Sequence, residues 1–222
     1  MSAPASKFLD VHTHYPPVVD APDVLAIENR HNGFGQALAS AYVSAGLHPW
    51  HVREETLSDD FGELRAYAAR PEVLAIGECG LDKLTATDWD TQCRAFEWQI
   101  ALAEALRKPL VIHCVKAFQE CLTLLKQTTV PVIFHGVNNR HSVIRPVVDA
   151  GYFLSFGKAL LHPNAAILEA FRAVPLSQLF LETDDSRADI REIYKTASGL
   201  RNIPEKEIAL QLELNFGKVF KA

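Results

Sequence analysis

The apolar positions of this chain fall into short runs, and run after run ends on a histidine or a carboxylate. Phe8, Leu9 and Val11 mark the first run, residues 8–14, as a buried strand. Side chains alternate along a strand, so Phe8, Asp10, His12 and His14 share one of its faces. Further strands are predicted over 23–28, 41–47, 73–77, 110–112, 130–134, 152–156 and 179–181. Helical spacing fills the intervals from the third strand onward. It covers 58–70, opened by Ser58 as a capping residue and stopped by Pro71, and then 90–107, stopped before Pro109. It returns over 117–127, over 141–150 despite Pro146, and over 164–173. The tail from 186 reads as helical, most clearly over 205–220. Pro16, Pro17 and Pro22 exclude a helix after the first strand, and 31–35 reads as a loop.

Strand and helix in alternation, joined by short connections, predict parallel strands with helical crossovers. Eight strands suit closure into a TIM-type (β/α) barrel, a compact α/β variant with shortened first and last βα units. An open doubly wound sheet is the alternative. The chain of 222 residues has no repeat, low-complexity tract or internal boundary, so the expectation is one domain over 1–222.

The C-terminal strand ends of a parallel barrel open on one face, where catalytic groups of such enzymes lie. The ends here are His12, His14, His48, Glu78, His113, His135 and Asp184. Each alone has a plain explanation, such as a hydrogen-bonded histidine, a solvated glutamate or a helix-capping aspartate. Taken together they point to metal ligands. So many imidazoles and carboxylates exceed the needs of one tetrahedral ion and suit two divalent ions with a bridging carboxylate. Imidazole-rich sites favour zinc, manganese, iron or cobalt, while magnesium prefers oxygen donors. Two divalent ions, zinc, manganese or magnesium, are therefore the expected cofactors. Such ions, about 3.5–4 Å apart, hold a substrate oxygen and lower the pKa of water to near 7, and a carboxylate can take its proton. No Gly-x-Ser-x-Gly elbow, Ser-His-Asp order or Walker loop competes. Cys79 and Cys114 follow candidate ligands directly, but alternation turns them away, which makes them packing residues.

Composition adds bounds. With 48% apolar and 22% charged residues the chain is an ordinary globular protein. A net charge of -5 offers no general attraction to nucleic acid or an anionic membrane, so a phosphate substrate needs local cations or metal. Residues 1–7 lack a signal-peptide core, no long uncharged apolar run follows, and the four cysteines form no CxxC pair. These features lead us to expect a reduced, cytoplasmic protein with no membrane partner.

With these residues assembled, the chain resembles the TatD family of metal-dependent hydrolases, within the amidohydrolase-like barrels. The matches are Asp10-Val11-His12-Thr13-His14, Ala45-Gly46-Leu47-His48-Pro49, and Ala75-Ile76-Gly77-Glu78-Cys79-Gly80-Leu81-Asp82. Pro109 to His113, His135, and Leu181-Glu182-Thr183-Asp184 follow in family order. The resemblance implies that His12, His14 and Asp184 hold one ion, that His113 and His135 hold the other, and that Glu78 bridges them. Asp184 would also be the base, and Asp10, behind the ligands, would orient them. The implied activity is hydrolysis of a phosphodiester, as in a deoxyribonuclease acting on DNA ends or single strands. Some relatives cleave aminoacyl esters instead, so a carbon-centred ester or amide is the alternative. A metal-binding barrel without catalysis, and a barrel without metal, are further readings. The chain departs from the family pattern at His135-Gly136-Val137-Asn138-Asn139 and at Asp184-Asp185-Ser186, in loops that would read a substrate. For phosphate contacts the candidates are His48, Arg140 and Lys158. Trp50 and Phe156 are candidates to stack a base.

Overall fold

The computed structural model describes residues 8–15, 21–34 and 40–220. Pro16, Pro17, Gly35 and the segment before Phe8, on which some expectations fall, lie outside these. The strands are β1 (Phe8–Thr13), β2 (Val24–Arg30), β3 (Val43–Ala45), β4 (Val73–Asp82), β5 (Leu110–Val115), β6 (Val132–Phe134), β7 (Phe153–Phe156) and β8 (Leu179–Leu181). They follow one another in sheet order from β1 to β8. The helices are α1 (Leu57–Ala68), α2 (Trp89–Leu106), α3 (Phe118–Leu124), α4 (His141–Asp149), α5 (Ala165–Ala173), α6 (Ile190–Arg201) and α7 (Glu205–Val219). Each predicted strand and helix has its counterpart among these elements. The chain divides into two compact units, one from residues 1–28 with 135–222 and one from 29–134.

In the first unit β1 pairs in parallel with β2, Phe8 opposite Val24 and Asp10 opposite Ala26, and β7 pairs in parallel with β8. Just past β8, Asp184 bridges to the end of β1 through two backbone hydrogen bonds, His14 N–H to the Asp184 carbonyl and Asp184 N–H to the His12 carbonyl, each 2.9 Å. The buried Tyr194 of α6 packs edge-on against Phe8 and accepts the Leu9 N–H at 3.1 Å through its hydroxyl. The tail is two helices. Asp189 caps α6 by accepting the Arg191 N–H at 2.9 Å, and Asn202 ends it in the left-handed region at φ 54°.

In the second unit β3, β4, β5 and β6 pair in parallel, under α1, α2 and α3. Phe96, Leu64, Ile76, Leu81, Leu110, Ile112 and Phe134 form its buried core. Two expectations need correction here. Helix α1 begins at Leu57, ahead of Ser58, with Thr56 at the cap position. No side chain caps it, since the Thr56 hydroxyl donates to Asp60 instead. β4 does not stop at Gly77 but continues to Asp82. The glycines permit this. A Cβ at Gly77 would lie 2.4 Å from the Val111 carbonyl oxygen, and one at Gly80 would lie 2.1 Å from that of His113. Glycine is read as a strand end from sequence, whereas here it lets two backbones approach.

Candidate metal centre

In the first unit the backbone bridge between the end of β1 and Asp184 sets the candidate ligands side by side. His14 Nε2 lies 3.4 Å and His12 Nε2 3.7 Å from Asp184 Oδ1. His135, just past β6, packs its ring 4.1 Å from that of His12, and ligand atoms of His12, His135 and Asp184 all fall within 4.8 Å of one another. Asp184 has φ 55°, a left-handed conformation that aspartate tolerates better than most residues. His12 is 0% exposed, so its imidazole is held in one orientation.

The other two residues of the Glu182-Thr183-Asp184 run support this cluster. Thr183 donates to Asp10 twice, through its N–H at 2.9 Å and its hydroxyl at 2.7 Å. Asp10 thus touches Thr183, the residue before Asp184. Burial pushes its carboxyl up to about 7, against the pull of the Thr183 hydrogen bonds. Glu182 is fully buried, accepts the Gly136 N–H at 2.6 Å and lies 3.9 Å from His135 Nδ1. Burial raises its carboxyl pKa, with His135 opposing. Sequence reasoning assigned Glu182 no role. Its only signal was its place in the family run.

In the second unit, His48, Glu78 and His113 place ligand atoms within 4.8 Å of one another, and all three are buried or nearly so. Glu78 Oε1 is 2.7 Å from His113 Nδ1 and 3.1 Å from His48 Nε2. Asn29 fixes the glutamate from behind, its Oδ1 accepting the Glu78 N–H at 2.9 Å and its Nδ2 donating to Oε2 at 3.2 Å. His113 Nε2 meets Asp82 Oδ2 at 3.1 Å. Burial works to raise the Asp82 carboxyl, but hydrogen bonds from Trp50, Leu84 and His113 outweigh it and hold the group below its usual range. Helix α2 carries two buried glutamines seven residues apart. Gln99 accepts the Leu47 N–H at 2.7 Å, next to His48, and Gln92 accepts the Asp82 N–H at 2.9 Å. Asn29, Asp82, Gln92 and Gln99 were not foreseen. The glutamines at seven-residue spacing on an apolar helix face were the legible clue.

His48, expected on phosphate, thus belongs to the Glu78–His113 cluster. Lys158, just after β7, forms an ion pair with Asp185, and Asp184 and Glu182 also act on its charge. Arg140 is exposed at the start of α4. Trp50 is 55% exposed, with its indole N–H on Asp82. Phe156 cannot stack a base. It is fully buried against Phe171 of α5, on a strand whose last three residues are all buried. The resemblance pairs His135 with His113. The two lie in different units, and within its own unit His135 lies with His12 and Asp184. All four cysteines are free thiols, with Cys79 and Cys121 buried. Among the described residues no helix is long and apolar enough to cross a membrane.

The donor sets of both clusters, imidazole with carboxylate, fit a borderline divalent ion such as zinc or manganese.

Comparison with known proteins agrees with this chemistry. A family model described as TatD related DNase matches residues 34–221. A Mycobacterium tuberculosis protein named as an uncharacterized metal-dependent hydrolase TatD is 35% identical over 153 residues, 64% of this chain and 57% of the relative. The chain thus spans little more than half the length of that relative. An Erwinia tasmaniensis protein named 3'-5' ssDNA/RNA exonuclease TatD is 29% identical over 170 residues, 73% of this chain and 65% of its own length. Among solved structures, the TatD homologue YJJV from Escherichia coli superimposes with a TM-score of 0.83 at 20% identity, over 98% of this chain and 99% of that one. That likeness shows the fold, an α/β barrel of eight parallel strands.

Proposed function

Because the chain belongs to the TatD-related DNase family, we propose that it is a two-metal hydrolase of phosphodiester bonds, acting on single-stranded or terminal nucleic acid. The observation that carries this reading is that each unit gathers its own set of three nitrogen and oxygen donors, His12–His135–Asp184 and His48–Glu78–His113. His12, His14, His135 and Asp184 would hold one ion, Glu78 and His113 the second, and the resemblance makes Glu78 the shared ligand. Bound divalent ions supply Lewis acidity and make water a nucleophile near neutral pH. Asp184, 19% exposed, is the base that takes the proton of the attacking water. Glu78 has its carboxylate held by Asn29 and needs no rearrangement to serve as ligand. The relative named as an ssDNA/RNA exonuclease supports a nucleic-acid substrate.

A second reading, hydrolysis of a carbon-centred ester, is favoured by one feature. Asp185 already neutralises Lys158, leaving less positive charge for a phosphate. The deciding experiment is elemental analysis before and after chelation, followed by turnover of bis-nitrophenyl phosphate and of an ester probe with manganese or zinc added. We expect two ions per chain and phosphodiester turnover that chelation abolishes. Ester turnover alone would select the second reading, and protein that binds no metal would refute both.

A further inference from the structure

One chain of hydrogen bonds runs beside Glu78, from Trp50 through Asp82 to His113. We infer that Trp50 and Asp82 are positioning residues that fix the two histidines of the second unit in the same Nε2–H tautomer but turn opposite nitrogens towards Glu78, His113 as a ligand through Nδ1 and His48 as a donor through Nε2–H. The inference rests on the proposal that His113 is a metal ligand.

His113 faces Asp82 on one side of its ring and Glu78 on the other. An ionised carboxylate only accepts, so the nitrogen facing it, Nε2 at 3.1 Å, carries the proton. The lone pair is then on Nδ1, which points at Glu78 Oε1 2.7 Å away. Two acceptors so close form one edge of a coordination shell, since ligands about 2.0–2.2 Å from a zinc ion lie roughly 3 Å from each other. A carboxylate on the far nitrogen of a ligating imidazole also raises its basicity and fixes its plane. Asp82 is itself held by three donors: the Trp50 indole N–H at 2.6 Å and His113 on Oδ2, and the Leu84 N–H at 2.7 Å on Oδ1.

His48 carries its proton on the same nitrogen but presents that nitrogen to Glu78. The Trp50 backbone N–H donates to Nδ1 at 3.1 Å, which makes that nitrogen the acceptor and puts the ring proton on Nε2. Nε2–H then faces Glu78 Oε1 at 3.1 Å as a donor. His48 therefore stands within ligand distance of Glu78 and His113 but supplies a hydrogen bond to the carboxylate, or to a substrate oxygen, in place of a third metal bond. Trp50 sets both rings, one through its backbone and one through its indole. That accounts for a tryptophan 55% exposed to solvent whose only indole donor is spent on a buried carboxylate.

The test uses Asp82→Asn and Trp50→Phe in the full chain, with zinc affinity measured by competition against a chromogenic chelator. Asp82→Asn puts an amide N–H₂ where the carboxylate receives donors from both sides, and should weaken zinc binding about 10- to 100-fold. Trp50→Phe keeps the backbone N–H and loses only the indole donor, so a smaller loss of about threefold is expected. Ring nitrogen spectra of the zinc-loaded protein should show the His113 proton on Nε2 and the His48 proton also on Nε2, the latter unchanged in Trp50→Phe. Melting of the metal-free proteins checks that both variants fold; if Asp82→Asn does not, Trp50→Phe and the wild-type spectrum decide. Affinities of the folded variants within about twofold of wild type, or a His113 proton on Nδ1 in the zinc-loaded wild type, overturn the inference. Wild-type protein that takes up no zinc would overturn the two-ion proposal first, so the two failures are distinguishable.

Discussion

The two ligand clusters are built by different means. In the first unit the main chain does the spacing: the end of β1 and the segment after β8 exchange hydrogen bonds at His14, His12 and Asp184, and three candidate ligands follow from that ladder. Side chains enter only from behind, as Asp10 on Thr183 and Glu182 on Gly136. In the second unit side chains hold side chains. Asn29 grips Glu78, Asp82 faces His113 and Trp50 holds Asp82, on strands brought close by glycines. A ladder tolerates side-chain change and fails only when the strands separate. A side-chain network fails at any member, because each buried polar group left without its partner costs about 1–3 kcal/mol.

The largest effects should come from the ligands themselves and are equal in the two units. Asp184→Ala and Glu78→Ala are each expected to lower kcat by at least about 100-fold, the lower range for loss of an acid–base group. Metal content separates them. Asp184→Ala should retain the ion held by Glu78 and His113, while Glu78→Ala, if it removes a shared ligand, should lose affinity for both. Wild-type rates in Glu78→Ala would rule out the bridging assignment.

Next come the supports, where the units should differ. Gly80→Ala would drive a Cβ to 2.1 Å from the His113 carbonyl oxygen, at φ 135°. The backbones of β4 and β5 must separate, so a loss on the order of 3 kcal/mol in urea unfolding is expected, together with weaker metal binding. Gly136→Ala in the first unit is the control. It has the same class of positive φ, 62°, but nothing within 4 Å of the new methyl group. Its cost should be about 1–2 kcal/mol, the left-handed penalty alone. Equal losses would remove the distinction between the two architectures.

Asp10→Ala tests the other support. It strips Thr183 of two buried hydrogen bonds and should cost about 1–3 kcal/mol, yet the ladder between the end of β1 and Asp184 remains. Zinc affinity is therefore expected to change less than in Asp82→Asn, although both variants remove a carboxylate behind a ligand. Parallel titrations of the two variants check this ordering. A larger loss in Asp10→Ala would mean that the ladder does not position the ligands unaided.

The candidate ligands were legible as candidates because they end apolar strands, where alternation and chemistry coincide: His12, His14, Glu78, His113, His135 and Asp184 all fall at such ends. What lay beyond sequence reasoning has a common cause. Asp82 reaches His113 only because β4 runs five residues past the glycine taken as its end. Gln92 and Gln99 meet the ends of strands distant in sequence, and a pattern of apolar positions carries no such partners. Phe156, for which packing was the plainer expectation than base stacking, is packed, because the last three residues of β7 are all buried whichever face they point to. Thr56 took the cap position from Ser58 because helix ends shift by a residue or two without changing the pattern of buried positions.

The smallest predicted effect bears on substrate. Lys158 and Asp185 are both more than half exposed, so their ion pair contributes little to folding, and Lys158→Ala should leave the melting point nearly unchanged. If the substrate is an anionic phosphodiester, losing this cation removes binding common to ground and transition states. KM then rises, about threefold to tenfold, with kcat unaltered. Asp185→Ala makes the opposite change, since it releases the ammonium from its carboxylate and should lower KM for the phosphodiester. A neutral ester probe should be indifferent to both substitutions. Steady-state kinetics on the two substrates with the two variants therefore reads the charge of the natural substrate from one surface pair. A KM that moves in the same direction in both variants would show that Lys158 acts on the loop and not on the substrate.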